Sequence, residues 1–388
     1  MSRSRSSFDE SFVNNPSGVL PSRSLASRLA GHRRTATRGV EGSFQFVASV
    51  VGQCYWLQAA NRQGRALTAT SSHANVVAVS YLGLDIGGSK CRYEWWPAGS
   101  AASGVTDPVH PAVDDDVAEK LARTLQTIAP TAPEAAVIAM AGVDAPAKQA
   151  LREQLPSHGI TYPVAIVEDT LAAAAAARLR DYPGVLLWSG TGSFAIARGE
   201  DGQLARVGGR GFAFSDEGSG YDLVRRAVVA VLHAIDGRGR DTLLVDSMTK
   251  AFGAGSPERL GGVVQRLLPR EVASRLPVVL EAYEQDDWAA ADVLQNAMFQ
   301  LTQLGIAALK RVGSSAVAGT RVAYGGGVLE HNPIIRDGLD RTLQASFGGE
   351  LDLRPLPSCA AALAAAQLAS AWHQGDVVAK DWVERVSL

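Results

Sequence analysis

Leu82-Gly83-Leu84-Asp85-Ile86-Gly87-Gly88-Ser89-Lys90 is the stretch that decides how this chain folds. Apolar residues 81–84 lead into Asp85, two glycines and a serine follow, and Cys91-Arg92-Tyr93-Glu94-Trp95-Trp96 reads as a second strand. The pattern predicts a strand, a tight glycine turn and a returning strand, with a carboxylate at the bend. A polyphosphate fits such a bend. Glycines let backbone N–H groups approach closely, Ser89 and Lys90 can donate, and Asp85 can hold a hydrated Mg²⁺. A Gly-Gly bend is also an ordinary hairpin turn, so the stretch alone leaves both readings open.

The chain before this stretch has a different composition. Residues 1–80 carry nine arginines, no lysine and three acids, Asp9, Glu10 and Glu41. The rest carries 28 basic and 36 acidic residues. Arg33, Arg34 and Arg38 ahead of residues 44–57 resemble an export signal, but Gln45, Gly52 and Gln53 break the apolar run and it lies far from Met1. We expect residues 1–79 to be a disordered extension, or the product of a start codon placed too early. A small folded unit in residues 44–79 is the alternative.

The totals bound the rest. A chain of 388 residues with 46% hydrophobic and 20% charged content can bury more than one core. A formal net charge of −2 gives no case for nucleic acid or an anionic membrane as partner. Cys54, Cys91 and Cys359 stand far apart, with no CxxC or Cys/His cluster, so neither a zinc site nor a disulfide framework is supported. This fits a reducing, cytoplasmic setting. No apolar run reaches the roughly 20 residues that span a bilayer.

From Tyr81 onward, strands alternate with helices, the mark of an α/β unit with parallel strands. Asp114-Asp115-Asp116 precedes a helical pattern, Val117, Leu121, Leu125 and Ile128, where acids suit the helix dipole better than a metal cluster. Residues 135–141 and 162–167 read as buried strands. The second ends at Glu168-Asp169, before the alanine run 172–177. A second hairpin follows: strand 185–188, the turn Ser189-Gly190-Thr191-Gly192-Ser193, and strand 194–198. It repeats the first about 105 residues later, Gly87 to Gly192. Residues 204–207 form a further strand ending in Gly208-Gly209-Arg210-Gly211, and Ser215-Asp216-Glu217 opens a helix. A third glycine bend, Gly325-Gly326-Gly327-Val328, lacks hydroxyls, as expected of a loop lying flat against a nucleoside.

Three glycine bends, each after a strand, with Asp169 and Asp216 at element ends between them, resemble the acetate and sugar kinase/actin-like ATPase superfamily. Gly208-Gly209 with Ser215-Asp216-Glu217-Gly218-Ser219-Gly220-Tyr221 is similar to the N-acetylglucosamine kinase branch of the BadF/BadG/BcrA/BcrD ATPase family. The resemblance covers roughly residues 81–375. It implies two ribonuclease H-like domains facing an ATP/sugar cleft: residues 80–183, then 184–375 with the last helix packing back on the first, and a tail at 376–388. It implies that Asp169 accepts the proton of a sugar 6-hydroxyl and that Asp85 orients Mg²⁺ through water. Gly87, Gly88, Ser89, Lys90, Gly190, Thr191, Gly192 and Ser193 would line the phosphates of ATP. Gly325, Gly326 and Gly327 would line the adenosine. Gly208, Gly209, Arg210 and Asp216 would meet an amino sugar, N-acetylglucosamine or glucosamine. A homodimer is compatible with it.

The chain departs from the family in two places. Arg210 stands where the family commonly has Trp, and residues 100–110 lack its usual Asn. Both changes touch the sugar pocket and leave the ATP machinery alone. Glucose and anhydro-muramic acid are therefore alternative substrates. A different class, an ATPase that activates a partner enzyme, would need cluster-binding cysteines that Cys54, Cys91 and Cys359 do not offer. Plainer roles also stand beside the catalytic ones: Asp169 and Asp216 as helix caps, Lys90 as an exposed strand residue, Arg210 paired with an acid, Trp95 and Trp96 as strand packing.

Overall fold

The computed structural model describes residues 79–384 apart from 89, 100, 112 and 113. The expectations for residues 1–78, and for Ser89 and Cys54, fall outside the described residues.

The opening hairpin is β1 (Tyr81–Ile86) and β2 (Cys91–Trp96), followed by β3 (Gly104–Thr106). Helix α1 (Val117–Ile128) begins at the acidic run: Asp116 caps it by accepting from Glu119 N at 2.9 Å, and Asp114 holds Lys120 at 2.7 Å. Then come β4 (Ala135–Met140), α2 (Ala145–Gln154), β5 (Val164–Glu168) and α3 (Asp169–Ala176). The sheet order is β3-β2-β1-β4-β5, with the hairpin antiparallel and β1, β4 and β5 parallel. β4 has no exposed residue and no polar side chain, as a strand covered on both faces requires.

The second half repeats this plan. It holds β6 (Gly184–Ser189), β7 (Ser193–Arg198) and β8 (Leu204–Gly208), then α4 (Gly220–Ile235). A helical block follows: α5 (Leu244–Ala251), α6 (Leu260–Val264), α7 (Pro269–Ala273), α8 (Leu276–Glu284) and α9 (Trp288–Arg311). The chain then forms β9 (Arg321–Gly325), α10 (Gly327–His331), α11 (Pro333–Phe347) and β10 (Asp352–Pro355). Its order, β10-β9-β6-β7-β8, is that of the first sheet: an antiparallel three-strand meander, then two parallel strands. The repeat legible as two hairpins thus extends to two whole sheets.

The chain ends in α12 (Ala360–His373) and α13 (Val377–Glu384). Residues 377–384, expected within a tail, are helical and bury Ala379, Trp382 and Val383. Although α12 follows the second sheet, it lies on β1 of the first. One apolar cluster joins Val137 and Val167 of the first sheet, Leu186, Ile196 and Ala323 of the second, and Ala361 and Ala365 of α12. The alanines keep the helix thin enough for this approach. Trp95 is buried in the other core of the first sheet, and Trp96 packs against the shared cluster. Among the described residues, no helix is long and apolar enough to cross a membrane.

Candidate active site

The three glycine bends close with different bonds. In the first, the Gly87 amide donates to Lys90 O at 3.0 Å. In the second, the Gly190 amide donates to Gly192 O at 2.8 Å, and Gly190 O accepts from Gly220 N at 2.8 Å. These amides shape their turns and do not project as donors. In the third, Gly326 has φ +91°, and an added Cβ would lie 2.3 Å from Ser189 O, so no other residue fits there. A Cβ on Gly190 would come within 3.9 Å of Gly327 N, which makes the second and third bends neighbours.

Ser193 is a correction. Expected among the phosphate contacts, it is buried at 1% exposure and its Oγ donates to Glu217 O at 2.7 Å. Ser189 Oγ likewise donates to Gly218 O at 2.8 Å. The two hydroxyls tie the second hairpin to the loop before α4. Thr191, half-buried and without a side-chain partner among the described residues, keeps its hydroxyl available.

Asp216 does not cap α4. The cap is Ser219, which accepts from Asp222 N at 3.2 Å. Asp216 lies upstream in a left-handed conformation, φ +65°, rare for a residue with a side chain. Its carboxylate rests on the second turn: a Cβ on Gly192 would lie 2.8 Å from Oδ2. Oδ1 is buried with no hydrogen-bond partner in the described structure. Desolvation raises its pKa, with the Gly211 backbone, Arg206 and the Ser193 backbone pulling the other way.

Asp85 ends β1 and Asp169 begins α3, directly after β5. Asp169 Oδ1 accepts from Thr170 N at 2.9 Å, but the N-cap of α3 is Glu168 and no side chain caps the helix. Desolvation raises the Asp169 pKa. The Thr170 amide and Arg206 oppose that shift and Glu168 adds to it. Desolvation first, then the charge of Asp169, pushes Asp85 up to about 7. Lys90 is lowered by partial burial and by Arg92, against the pull of Glu330 and Asp85. Glu330 sits on α10, and its carboxylate accepts from Ser358 N at 3.1 Å. The first turn therefore faces the element that carries the third bend.

Sequence reasoning missed Arg206, Glu168 and Lys148. Arg206 of β8 reaches Glu168 of β5 at 3.7 Å, and the nearly buried Lys148 of α2 reaches the same carboxylate at 3.5 Å. Arg206 also donates to Gly209 O and lies over the Phe194 ring at 5.8 Å. A Cβ on Gly209 would come within 2.6 Å of its guanidinium. Gly208, at φ +75°, is pressed against Leu304, so both glycines have a packing reason. Arg206 thus links the sheets beside Asp169 and Asp216. The only available signal was a charged residue inside an apolar strand, next to a glycine pair.

The Asp85 carboxylate is desolvated and has no hydrogen-bond donor among the described residues, which suits a hydrated divalent cation. No cluster of three His, Cys, Asp or Glu side chains that could hold a metal ion occurs among the described residues. Such an ion would therefore rest on Asp85 through water. Cys91, beside it, is buried with its thiol pushed up to about 12, so it supplies no nucleophile.

Asp85 also carries a stability prediction. Its unfolded value is 3.8 and its folded value about 7, so its contribution is complete below 3.8 and lost as pH rises through 7. Asn stays neutral at every pH. Asp85→Asn, free of metal and nucleotide, should melt several degrees above the parent protein at pH 8, with the gap closing towards pH 5. Calorimetric scans in EDTA test this, and a variant no more stable at pH 8 refutes it.

A profile of the BadF/BadG/BcrA/BcrD ATPase family matches residues 82–369. The chain belongs to this family. A relative with a similar sequence is an N-acetylmuramic acid/N-acetylglucosamine kinase from Clostridium acetobutylicum, 29% identical over 202 residues. That match covers 52% of this chain and 65% of the relative, just under two thirds of its length. Two solved structures share the fold. The putative N-acetylglucosamine kinase of Chromobacterium violaceum aligns with a TM-score of 0.59 at 22% identity, over 74% of this chain and all but 1% of its own (99% covered). Its counterpart from Porphyromonas gingivalis aligns at 0.56 and 22%, over 76% of this chain and 100% of that one. The fold is thus α/β with two five-stranded sheets of matching strand order, shared with these two structures.

Proposed function

We propose that this protein is an ATP-dependent amino-sugar kinase. It transfers the γ-phosphoryl group of ATP to the 6-hydroxyl of N-acetylglucosamine or glucosamine, with Asp169 as general base. The observation that carries this reading is the placement of Asp169. It stands where the two sheets meet, electrostatically coupled to Asp85 of the first sheet and to Arg206 of the second. The name of the Clostridium acetobutylicum relative supports the same substrate class.

Phosphoryl transfer needs positioning, charge neutralisation and an oriented nucleophile. Thr191 and the backbone of the second turn grip the phosphates, and the Gly325–Gly327 bend, at residues 325–327, lies against the adenosine. Mg²⁺, when bound, neutralises phosphate charge, and Asp85 holds its water shell. Asp169 takes the hydroxyl proton as the oxygen attacks phosphorus. Its raised pKa makes it a stronger base than an ordinary carboxylate, and the Thr170 amide and Arg206 favour its ionised form against the desolvation that raises it. Packing of the two sheets around this carboxylate limits access of water and hence idle ATP hydrolysis.

The test is a panel of glucosamine, N-acetylglucosamine, glucose and anhydro-muramic acid with Mg-ATP, following ADP release and sugar phosphate by mass. Sugar-dependent ADP release with an amino sugar 6-phosphate as product is expected. ATP hydrolysis indifferent to sugar would overturn the reading in favour of a partner-activating ATPase.

A further inference from the structure

Arg206 of β8 acts on Asp169 electrostatically, yet among the described residues its guanidinium makes no ion pair with that carboxylate. It pairs with the preceding residue instead: its Nη1 lies 3.7 Å from Glu168 Oε2. Two further contacts fix it there. Its Nη2 donates to Gly209 O, and the guanidinium lies over the Phe194 ring, 5.8 Å from the centroid. Glu168 is held as firmly. Its Oε1 meets the buried Lys148 ammonium at 3.5 Å, and its Oε2 also accepts from Thr170 Oγ1 at 3.3 Å. Arg210, beside the glycine pair, is exposed and pairs with no carboxylate among the described residues. Arg206 is therefore the arginine placed between Asp169 and the second sheet.

A carboxylate that takes a proton from an attacking hydroxyl needs a lone pair facing the substrate and enough proton affinity to use it. A guanidinium fork binds both oxygens of a carboxylate at once. Asp169 directly follows Glu168, so an arginine released from Glu168 has Asp169 as its next carboxylate. A two-pronged pair there would cover the base and lower its proton affinity. Held at Glu168, Arg206 exerts its field on Asp169 without contact.

We propose that Glu168 is a positioning residue: held by Lys148, it keeps Arg206 out of an ion pair with Asp169, so that the base stays open to the substrate hydroxyl. This rests on the reading of Asp169 as the general base of a sugar kinase. The charged groups that face Asp169 are Asp85 from β1, Glu168 from β5 and Arg206 from β8. β4 carries no charged residue, and the titratable residue of α12, His373, lies away from the site against Tyr81 and Glu134. Glu168 raises the proton affinity of Asp169 and Arg206 lowers it. Glu168→Gln removes the first and frees Arg206 for contact, so Asp169 should titrate lower on both counts. Arg206→Gln removes the opposing charge, so Asp169 should titrate higher. A pair that only tied the sheets together would respond alike to the loss of either half.

Carboxyl-carbon NMR titration of the nucleotide-free protein, with Asp169 assigned from the Asp169→Asn spectrum, tests this apart from turnover. The Asp169 midpoint should fall in Glu168→Gln and rise in Arg206→Gln. Sugar phosphorylation gives the second readout. Glu168→Gln should lose about tenfold to a hundredfold in kcat, part of what a general base contributes, with the KM for ATP unchanged. The loss in Arg206→Gln should shrink as pH rises, because its base lacks only ionisation, whereas the loss in Glu168→Gln should not. Glu168→Gln/Arg206→Gln should be faster at high pH than Glu168→Gln, since the arginine that covers the base is gone. Glu168→Gln takes from the buried Lys148 its carboxylate partner, so melting curves accompany each variant. If it does not fold, Glu168→Gln/Lys148→Met takes its place in every comparison. Midpoints that move the same way or stay put, or a double variant no faster than Glu168→Gln, overturn the inference. If no sugar draws ADP release from the parent protein, the kinase reading fails, while the titrations still decide whether Glu168 keeps Arg206 from Asp169.

Discussion

Asp169→Asn should lower sugar phosphorylation by about 10²–10⁴-fold, the usual contribution of a general base, and leave folding and nucleotide affinity intact. The substitution isolates chemistry from architecture. Asn keeps the Oδ1 that accepts from Thr170 N at 2.9 Å, so the start of α3 is preserved. It removes only the charge, and desolvation already disfavours that charge in the folded protein. Stability should hold or rise while turnover falls. The pH dependence gives a second signature. A base must be ionised, so kcat should decline on the acid side as Asp169 takes up a proton. Because its pKa is raised, that limb should lie above the ordinary Asp value of 3.8. The variant should lose the limb along with the rate. Single-turnover phosphorylation across pH measures both, and near-normal turnover in Asp169→Asn would remove it as the base.

The parts of the site that sequence made legible are those with local signatures. A strand ending in Asp85 and two glycines, or in Ser189-Gly190-Thr191, announces its turn through residue types that special backbone geometry requires. The parts that were not legible depend on distance in sequence. Arg206 and Glu168 are 38 positions apart, and nothing in either neighbourhood names the other. Ser193 looked like a phosphate ligand because a hydroxyl after glycine commonly is one. Only the approach of the loop 215–219 shows that the Ser193 hydroxyl donates its hydrogen bond to Glu217 O. Asp216 was read as a helix start because Ser215-Asp216-Glu217 has the composition of one. The chain instead places Ser219 at the cap and holds Asp216 in a left-handed turn, where its carboxylate covers Gly192. The fold repeat was visible only as two hairpins because the crossovers differ. A single helix, α1, links the meander to the parallel strands in the first sheet, whereas α4 to α9 intervene in the second.

Gly83→Ala should destabilise the protein by at least about 3 kcal/mol, although it adds one methyl group to a strand interior. The methyl carbon would lie 2.1 Å from Ala362 O, 2.2 Å from Ala366 N and 2.8 Å from Ala365 C. All three are backbone atoms of α12, so no side-chain rotation relieves the overlap. The helix must move off β1. That movement opens the apolar cluster to which both sheets contribute, because Ala361 and Ala365 of the same helix face it. Gly338→Ala is the matched control. Its methyl would lie 2.1 Å from Met298 Sδ, an equally short approach. The thioether, however, is the far end of a flexible side chain, which can turn aside. Inside α11 the replacement also gains up to about 1 kcal/mol of helix propensity. Urea unfolding should therefore show Gly83→Ala with a much lower midpoint and Gly338→Ala within about 1 kcal/mol of the parent. Equal midpoints for the two would mean that α12 is not seated on β1, and the shared core that brings Asp169 and Arg206 together would lose its physical basis.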